Sequence, residues 1–436
     1  MSSVVITSDE NGQLCSSCVW DVDTGATLAS YKGATCATRT LNMIGNEFLI
    51  GAQKDKPLLH VWALHKKEQF QLRMVCPGQV SALVVSPDAT YCVAGIGDKL
   101  YLWQISTGNL LVVLSRHYQN VTCVRFTDDG SHFLSAGEDG LVLVWALSRV
   151  LINDETIIGG GQSRIEPRYF WSNHAMSVTD VHVGCGGIQA RVATCSLDQT
   201  CKLYDLASGN LLVSVVMDVC LTSVTMDPAE YHLFLGSSGG NVYQLNLYKS
   251  VERDLHYSTK AKESLTFIGH SKQVTCLDVS SDGLTLLSGS RDQNVTLWHI
   301  PSRQCIRKLP HKGAVTNAFF SQTPYALFQE DTVRKLTPLQ TFKKHLFSEE
   351  DLVNEEENGK NGVHINLHHH PVLQVKELSQ EDKVSLKSLE NADSRISAQS
   401  NEELKEEVEQ LKSVNHQLYL YSVTSLLKSN IADYDT

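Results

Sequence analysis

Short runs of apolar and β-branched residues, broken by polar turns, recur along most of the chain. The clearest example lies at residues 269–299, with the sequence GHSKQVTCLDVSSDGLTLLSGSRDQNVTLWH. Runs of about four to eight such residues between turn-forming Ser, Asp, Gly and Asn residues are typical of β-strands. The stretch predicts three antiparallel strands, and a fourth follows the break at Pro301. The four runs are Val274–Val279, 284–288, 295–298 and 304–309.

An aromatic residue closes the third run of each such unit, and these residues define an internal repeat. Four of the six intervals between them are 39 to 42 residues long, and the other two carry extra segments at 148–169 and 249–264. A period of about 40 residues with four strands per unit is that of a propeller blade. The pattern predicts seven blades, with closing residues Trp20, Trp62, Trp103, Trp145, Tyr204, Tyr243 and Trp298.

The two ends of the repeat region complement each other. Residues 4–7, 17–22 and 27–31 form the second, third and fourth strands of a first blade that lacks its inner strand. The missing pattern, AVTNAFFS, appears at 314–321, after the last complete blade. Pairing this strand with the first blade would close the ring and leave no long unpaired edge. We therefore predict an all-β, seven-bladed propeller over residues 1–342, closed by a strand at 314–321.

Two units carry the same set of four side chains at the same spacing. His, Ser and Asp stand 28, 10 and 6 residues before the closing Trp, and the sets are His117, Ser135, Asp139 and Trp145, and His270, Ser288, Asp292 and Trp298. A third, partial set consists of His174, Thr194, Asp198 and Tyr204, with Met176 at the expected histidine position. The pattern resembles the WD40 repeat, in which indole, hydroxyl, imidazole and carboxylate form a hydrogen-bonded chain. The other four units lack this set and are expected to be held by packing alone.

Ser, His and Asp also make up a catalytic triad. Here, however, the Ser and the Asp lie on one hairpin, and the Trp occupies the hydroxyl that a nucleophile would need free. The glycine run at 159–161 is not followed by the Lys-Ser/Thr of a phosphate loop, and Cys15 and Cys18 have no second pair nearby for zinc. We therefore interpret the sets as structural and predict a non-enzymatic protein without cofactor or metal.

Charge is distributed unevenly along the chain. Of the 48 Asp and Glu and 37 Lys and Arg residues, 18 and 8 lie from residue 345 onward, so the ring is close to neutral. This balance argues against a ring whose main affinity is for nucleic-acid phosphates. The chain has no apolar run long enough to span a bilayer and no signal-peptide pattern at its start, so we expect no membrane partner and a reducing compartment.

The last part of the chain differs in composition from the ring. Residues 343–400 form an acidic linker that we predict to be mostly disordered, and residues 401–428 carry the only convincing helical pattern. Apolar residues at alternating four- and three-residue steps are the seam of a coiled coil, and an Asn within such a seam favours two strands. The dimerisation residues predicted from this seam are Leu404, Val408, Leu411, Asn415 and Leu418. The alternative is a single amphipathic helix packed on the ring.

Four stretches carry a more selective resemblance than the repeat itself. They are STGNLLVVLSRHYQNVTCVRF from Ser106, RVATCSLDQTCKLYDLASGNLL from Arg191, FIGHSKQVTCL from Phe267 and LKEEVEQLKSVNHQL from Leu404. With these stretches the chain resembles the WD repeat-containing protein 18 family. The resemblance implies a non-enzymatic scaffold subunit of a rixosome-type complex that acts in large ribosomal subunit maturation and pre-rRNA spacer processing.

The same resemblance implies specific partners and a location. The partners are a proline-, glutamate- and leucine-rich scaffold protein, a helical-repeat protein, the large ribosomal subunit precursor and the ATPase midasin. The location is the nucleus, in nucleolus and nucleoplasm, and also the cytoplasm. An alternative function is that of a WD40 adapter for a ubiquitin ligase or a chromatin complex, and an enzyme is the third class considered.

Replacing Leu411 and Leu418 together with Ser should make the predicted homodimer monomeric, because each buried leucine of the seam contributes about 1.5–3 kcal/mol. Asn415→Val should tighten association and loosen the choice of oligomer. Sedimentation of the full-length protein, of the double variant and of a chain ending at Phe342 measures this directly. If the full-length chain and the shortened chain each sediment with the mass of one monomer at micromolar concentration, the dimer is contradicted.

Overall fold

Strands account for nearly all of the regular structure. The computed structural model describes residues 3–11, 17–64, 71–151, 165–247, 265–324 and 339–346, and the backbone of 256–258. The predicted coiled-coil helix at 401–428, with all five of its seam residues, and the linker beyond residue 346 lie outside the described residues. In the described part, no helix combines the length and the apolar character needed to cross a membrane.

The first three blades follow one another along the chain. Their strands are β1 (Ser3–Asp9), β2 (Ser17–Asp21), β3 (Thr27–Tyr31), β4 (Asn42–Ile44), β5 (Phe48–Ala52), β6 (Leu58–Ala63), β7 (Gln71–Val75), β8 (Val80–Val85), β9 (Tyr91–Ile96), β10 (Lys99–Gln104) and β11 (Leu110–Ser115).

The next four blades contain the remaining strands, and one strand closes the ring. They are β12 (Val121–Phe126), β13 (His132–Gly137), β14 (Val142–Ala146), β15 (Tyr169–Trp171), β16 (Val178–Val183), β17 (Arg191–Ser196), β18 (Thr200–Asp205), β19 (Leu211–Val216), β20 (Leu221–Met226), β21 (His232–Ser237), β22 (Val242–Asn246), β23 (His256–Ser258), β24 (Leu265–Phe267), β25 (Val274–Val279), β26 (Thr285–Ser290), β27 (Asn294–His299), β28 (Gln304–Pro310) and β29 (Val315–Gln322).

These strands form seven sheets, antiparallel except for one pair in the fifth, which we number blades 1 to 7 in chain order. Each blade pairs its strands in sequence from an inner strand to an outer one, except blade 1, whose order is β29-β1-β2-β3. The seven predicted closing aromatic residues all lie in the third strand of their blade. The seven-bladed propeller predicted from the repeat is therefore confirmed.

Blade 1 is built from both ends of the repeat region. Strand β29 supplies its inner strand and pairs antiparallel with β1, from Ser3 opposite Gln322 to Asp9 opposite Val315. The backbone amide of Glu10 also donates to the carbonyl of Ala314. Pairing removes the exposed edge that β1 would otherwise present to other chains.

Apolar contacts hold each blade against the next. Seven clusters of buried residues occupy the seven junctions, and the third-strand aromatic residues lie within them. Trp62, Trp103 and Trp145 are fully buried. A Trp, Tyr or Phe side chain buries about 150–250 Å², so these residues supply much of the apolar area that holds the ring together.

A hydroxyl at the second position of the inner strand bridges neighbouring blades. Thr122 Oγ1 lies 2.6 Å from the carbonyl oxygen of Val178 and 3.2 Å from that of Ala136, so one O–H is shared between the next blade and its own. The same arrangement is made by Ser81, Thr179, Thr222 and Thr275. These bonds satisfy inner-strand carbonyls at the point where two sheets meet.

The two inserted segments, 148–169 and 249–264, contain regular structure where they are described. A short helix, α1 (Leu147–Leu151), begins the first segment directly after β14, and Val150 is buried in the junction of blades 3 and 4. In the second segment, β23 pairs in parallel with β19 and adds a fifth strand to the sheet of blade 5.

The packed chain continues past residue 342, where we placed the end of the ring. Phe342 is buried and stacks on Trp103 with ring centroids 5.3 Å apart. The Lys343 carbonyl accepts a hydrogen bond from Trp103 Nε1 at 2.8 Å, and Leu346 bridges in parallel to Leu110. The ring therefore includes residues up to Leu346, because this segment covers blade 3.

A chain ending at Gly313 should be aggregated or insoluble, because it loses β29 and exposes the edge of β1. A chain ending at Leu346 should be soluble and monodisperse. A chain ending at Phe342 should fold with a lowered melting temperature, because Trp103 loses its acceptor at a cost of about 1–3 kcal/mol. Size-exclusion chromatography and thermal unfolding check all three; a monodisperse product ending at Gly313 would refute closure by β29.

Candidate functional site

The predicted polar sets in blades 4 and 7 are hydrogen-bonded chains. In blade 4, Trp145 Nε1 donates to Ser135 Oγ at 3.1 Å, Ser135 Oγ lies 2.8 Å from His117 Nε2, and His117 Nδ1 lies 3.0 Å from Asp139 Oδ2. A neutral imidazole with its proton on Nδ1 satisfies every member, since the hydroxyl then donates to Nε2.

Blade 7 repeats this geometry. The distances are 2.8 Å from Trp298 Nε1 to Ser288 Oγ, 2.7 Å from Ser288 Oγ to His270 Nε2, and 2.9 Å from His270 Nδ1 to Asp292 Oδ2. The carboxylates also accept backbone amides of the loop that precedes the inner strand, from Tyr118 in blade 4 and Ser271 in blade 7. Each set therefore ties that loop to the turn between the second and third strands.

These carboxylates are held in the charged form. Burial acts to raise the pKa of Asp139, but hydrogen bonds from His117 and from the Tyr118 amide outweigh it, and the pKa lies below its usual value. The pKa of Asp292 is lowered in the same way, against burial, by the Ser271 amide and His270. A lowered carboxyl pKa stabilises the fold above the unfolded-state value and loses that contribution as pH falls through the folded-state value.

The buried hydroxyls are poorly placed for chemistry on a substrate. Ser135 and Ser288 are both 0% exposed, and each accepts an indole N–H while it donates to a histidine. A nucleophile needs both access and a free lone pair. The arrangement is suited to fixing loops, which agrees with our structural interpretation of the sets.

Blade 5 contains a shorter version of the chain. His174 Nε2 lies 2.8 Å from Thr194 Oγ1, and His174 Nδ1 lies 3.1 Å from Asp198 Oδ2. His174 thus occupies the histidine position, and Met176 is 53% exposed. The two-residue offset arises between the first and second strands, where a 3-10 turn at Gly187–Gln189 lengthens the loop.

Tyr204 does not join this chain. Its ring stacks on Trp171 with centroids 4.1 Å apart and planes at 7°, and no hydrogen bond links it to Thr194 within the described structure. Trp171 belongs to β15, the outer strand of blade 4, and its Nε1 donates to the carbonyl of Gly209, in the turn between the third and fourth strands of blade 5. In blade 5 aromatic stacking therefore takes the place of the indole-to-hydroxyl bond.

Blade 1 contains a polar set that we did not predict. Trp20 Nε1 donates to Thr7 Oγ1 at 2.8 Å, and His311 contacts Trp20 edge-on with centroids 5.6 Å apart. His311 Nδ1 lies 3.8 Å from Asp9 Oδ2. The expectation that four units are held by packing alone is therefore wrong for blade 1, whose set draws on both ends of the chain.

The spacing rule we used missed this set for a simple reason. Counting back from the closing Trp cannot cross from Trp20 to a residue near position 311. A signal was nevertheless present, because each of these histidines stands four residues before the first residue of its inner strand. The pairs are His117 and Val121, His174 and Val178, His270 and Val274, and His311 and Val315.

A charged side chain crosses the central channel of the ring. Arg39, in the connection between blades 1 and 2, has its Nε 3.1 Å from Asp180 Oδ1 in blade 5. Its second guanidinium nitrogen donates to the Thr222 carbonyl in blade 6 at 2.7 Å. The residue has a φ of 57°, which is unusual for a residue with a side chain, so the backbone is strained where this contact is made.

On one side of Arg39 the channel widens into a cavity of about 230 Å³ lined by Arg125, His182 and Asp278. Burial, assisted by Arg125, lowers the pKa of His182 to about 4, so the imidazole of His182 is neutral at pH 7. Burial raises the pKa of Asp278 to about 6, although amides of Phe320 and Val279 donate to its carboxylate. We predicted none of these groups as a site.

The loops fixed by the polar sets present side chains to solvent. Tyr118 follows His117 and is 82% exposed, although its amide is bonded to Asp139. The Ala175 amide, between His174 and Met176, is bonded to Asp198 in the same way. Exposed apolar groups on a rigid backbone can bind a partner with little loss of conformational entropy.

Replacing Asp139 by Ala should lower the free energy of unfolding by about 1–3 kcal/mol, because it leaves a buried imidazole without its partner. Asp98→Ala, at the corresponding turn of blade 3, is the matched control and should have little effect. Thermal unfolding and partner binding at low temperature measure the two consequences. Loss of an activity in a variant that is as stable as the wild type would refute the structural interpretation.

Comparison with known proteins agrees with this geometry. The chain matches the WD40 family (WD domain, G-beta repeat) at residues 108–146, 165–205 and 261–299, the segments that contain the sets of blades 4, 5 and 7. WD repeat-containing protein 18 of Danio rerio is 41% identical over 440 residues, which is 98% of this chain and 99% of that protein. The human protein of that name is 40% identical over 430 residues, 96% of each chain.

A more distant similarity extends to a second group. Pre-rRNA-processing protein pro-1 of Caenorhabditis briggsae is 30% identical over 315 residues, which is 70% of this chain and 58% of that protein. The repeat, the polar sets and the similarity over 96 to 98% of the chain lead to one conclusion. The chain belongs to the WD repeat-containing protein 18 family.

Proposed function

We propose that this protein is a non-enzymatic scaffold subunit that acts in large ribosomal subunit maturation and pre-rRNA spacer processing. The observation that carries the proposal is its similarity to a pre-rRNA-processing protein over 315 residues, 70% of the chain. That relative is named for pre-rRNA processing, and the similarity covers more of the chain than the three segments matched by the WD repeat.

The geometry supports a binding role. The polar sets of blades 4, 5 and 7 fix loops at the turns between strands, and the hydroxyls within them are buried. A closed ring of sheets is a rigid support for such loops, and binding residues are often found on loops that a rigid scaffold positions. We therefore place the function in the binding surfaces that these loops form, and not in a catalytic side chain.

The partners we propose are those implied by the family. They are a proline-, glutamate- and leucine-rich scaffold protein, a helical-repeat protein, the large ribosomal subunit precursor and the ATPase midasin, in the nucleolus and nucleoplasm. A homodimer through residues 401–428 would offer two equivalent rings to the complex. Two linked binding modules raise the avidity for a partner with paired sites.

Purification of the tagged full-length protein from cells should recover large-subunit precursors and their assembly factors, and its depletion should cause spacer-containing pre-rRNA to accumulate. Re-expression of the full chain is the control for depletion. A chain ending at Leu346 tests the part played by the tail, because the ring stays intact. Recovery of a cullin adapter or of nucleosome cores, with normal pre-rRNA, would favour a ubiquitin-ligase or chromatin adapter and overturn the proposal.

A further inference from the structure

The outer edges of two blades are covered by extended segments of the chain itself. In blade 5, β23 pairs in parallel with the outer strand β19. In blade 3, Leu346 makes a parallel bridge to Leu110 on the outer strand β11. The outer edge of this ring can therefore accept an additional extended segment.

The outer strand of blade 7 offers an edge of the same kind. Strand β28 has seven residues, more than any other outer strand of the ring, and it is the last strand of its sheet in the described structure. The His311 amide donates to the Gln293 carbonyl, so the antiparallel register directs the backbone groups of Leu309 inward and those of Lys308 and Pro310 outward.

The chain segment that forms this edge is basic, although Asp21 of blade 1 lies near Arg307. Residues 293–312 contain four Lys or Arg residues, Arg303, Arg307, Lys308 and Lys312, and no Asp or Glu. The guanidinium of Arg307 is already bonded to the carbonyls of Asp23 and Thr24 in blade 1. Lys308 and Lys312 are exposed, so their charge is available to a segment that pairs with the strand.

The positive charge on the outer edge of β28 determines which kind of strand can pair with it. Lys on an edge strand discourages pairing with another copy of the same strand, because like charges face each other. The same lysines attract a strand whose side chains are acidic, since opposite charges across a strand pair are stabilising. The charge on this edge therefore disfavours pairing with a second copy of β28 and favours pairing with an acidic segment.

We propose that the outer edge of β28 binds an extended acidic segment of a partner protein as a fifth strand of blade 7. The acidic stretch 349–358 of the same chain is a poorer occupant, because it begins three residues after Leu346, which is fixed to blade 3 on another part of the ring. The site stands independently of the role in pre-rRNA processing.

The probe is a fluorescein-labelled, acetylated peptide of about ten alternating glutamate and valine residues, long enough to pair along the whole strand. We expect it to bind the full-length protein, and we expect hydrogen exchange of the amides in β28 to slow when it is bound. A peptide with two of its valines replaced by proline should not bind, because it keeps the charge but cannot form the ladder.

Lys308→Glu with Lys312→Glu should weaken binding about tenfold or more, since attraction becomes repulsion, and raised salt should weaken binding to the wild type. Lys56→Glu with Lys99→Glu, an equal charge change at exposed sites in blades 2 and 3, is the matched control and should bind as the wild type does. The melting temperatures of both variants establish that they are folded.

Several outcomes would overturn the proposal. Equal binding of the proline-containing peptide would mean that charge alone attracts the probe. Protection of residues away from β28, or unchanged binding by the lysine variant, would place the site elsewhere. Stronger protection of β28 by a short oligouridylate RNA than by the peptide would identify the edge as a nucleic-acid surface. The exchange measurement on the wild type decides the matter even if the lysine variant fails to fold.

Discussion

Closure of the ring depends on the pairing of β1 with β29. These strands lie more than 300 residues apart in the chain, as the hydrogen bond between Ser8 and Thr316 illustrates. Closing a free loop of this length costs about 5 kcal/mol of chain entropy. Six complete blades between the two strands meet most of that cost, because each packs on the last and carries the ends towards each other.

Two kinds of interaction, apolar burial and hydrogen bonding, hold the blades together. Burial of large apolar side chains at the seven junctions supplies a non-directional driving force. The shared hydroxyl bonds of the inner strands and the polar sets add direction, because a buried donor has few acceptable partners. The first kind explains why the ring is stable, and the second explains why loops such as the one at Tyr118 keep one position.

The sequence was sufficient for the repeat and the polar sets of blades 4 and 7, because these depend on spacing within one unit. It was also sufficient for the closure, because the inner-strand pattern missing from the first blade recurs at 314–321. It was insufficient where two distant residues meet without such a repeated pattern. His311 reaches Trp20 through ring closure, Arg39 crosses the channel to Asp180, and Lys343 caps Trp103. The offset of four residues from its strand marks His311, but no local pattern identifies its partner, and none marks Arg39 or Lys343.

The split construction of blade 1 also has a consequence for how the protein is made. Strand β1 leaves the ribosome first, but its inner partner β29 becomes available only after residue 322 has been added. At about 5–20 residues per second, this leaves a β-edge uncovered for roughly 15–60 seconds of synthesis. During that time the edge of β1 is open to pairing with other chains, and a ribosome that stalls within the last blade would release an incomplete ring with this edge exposed.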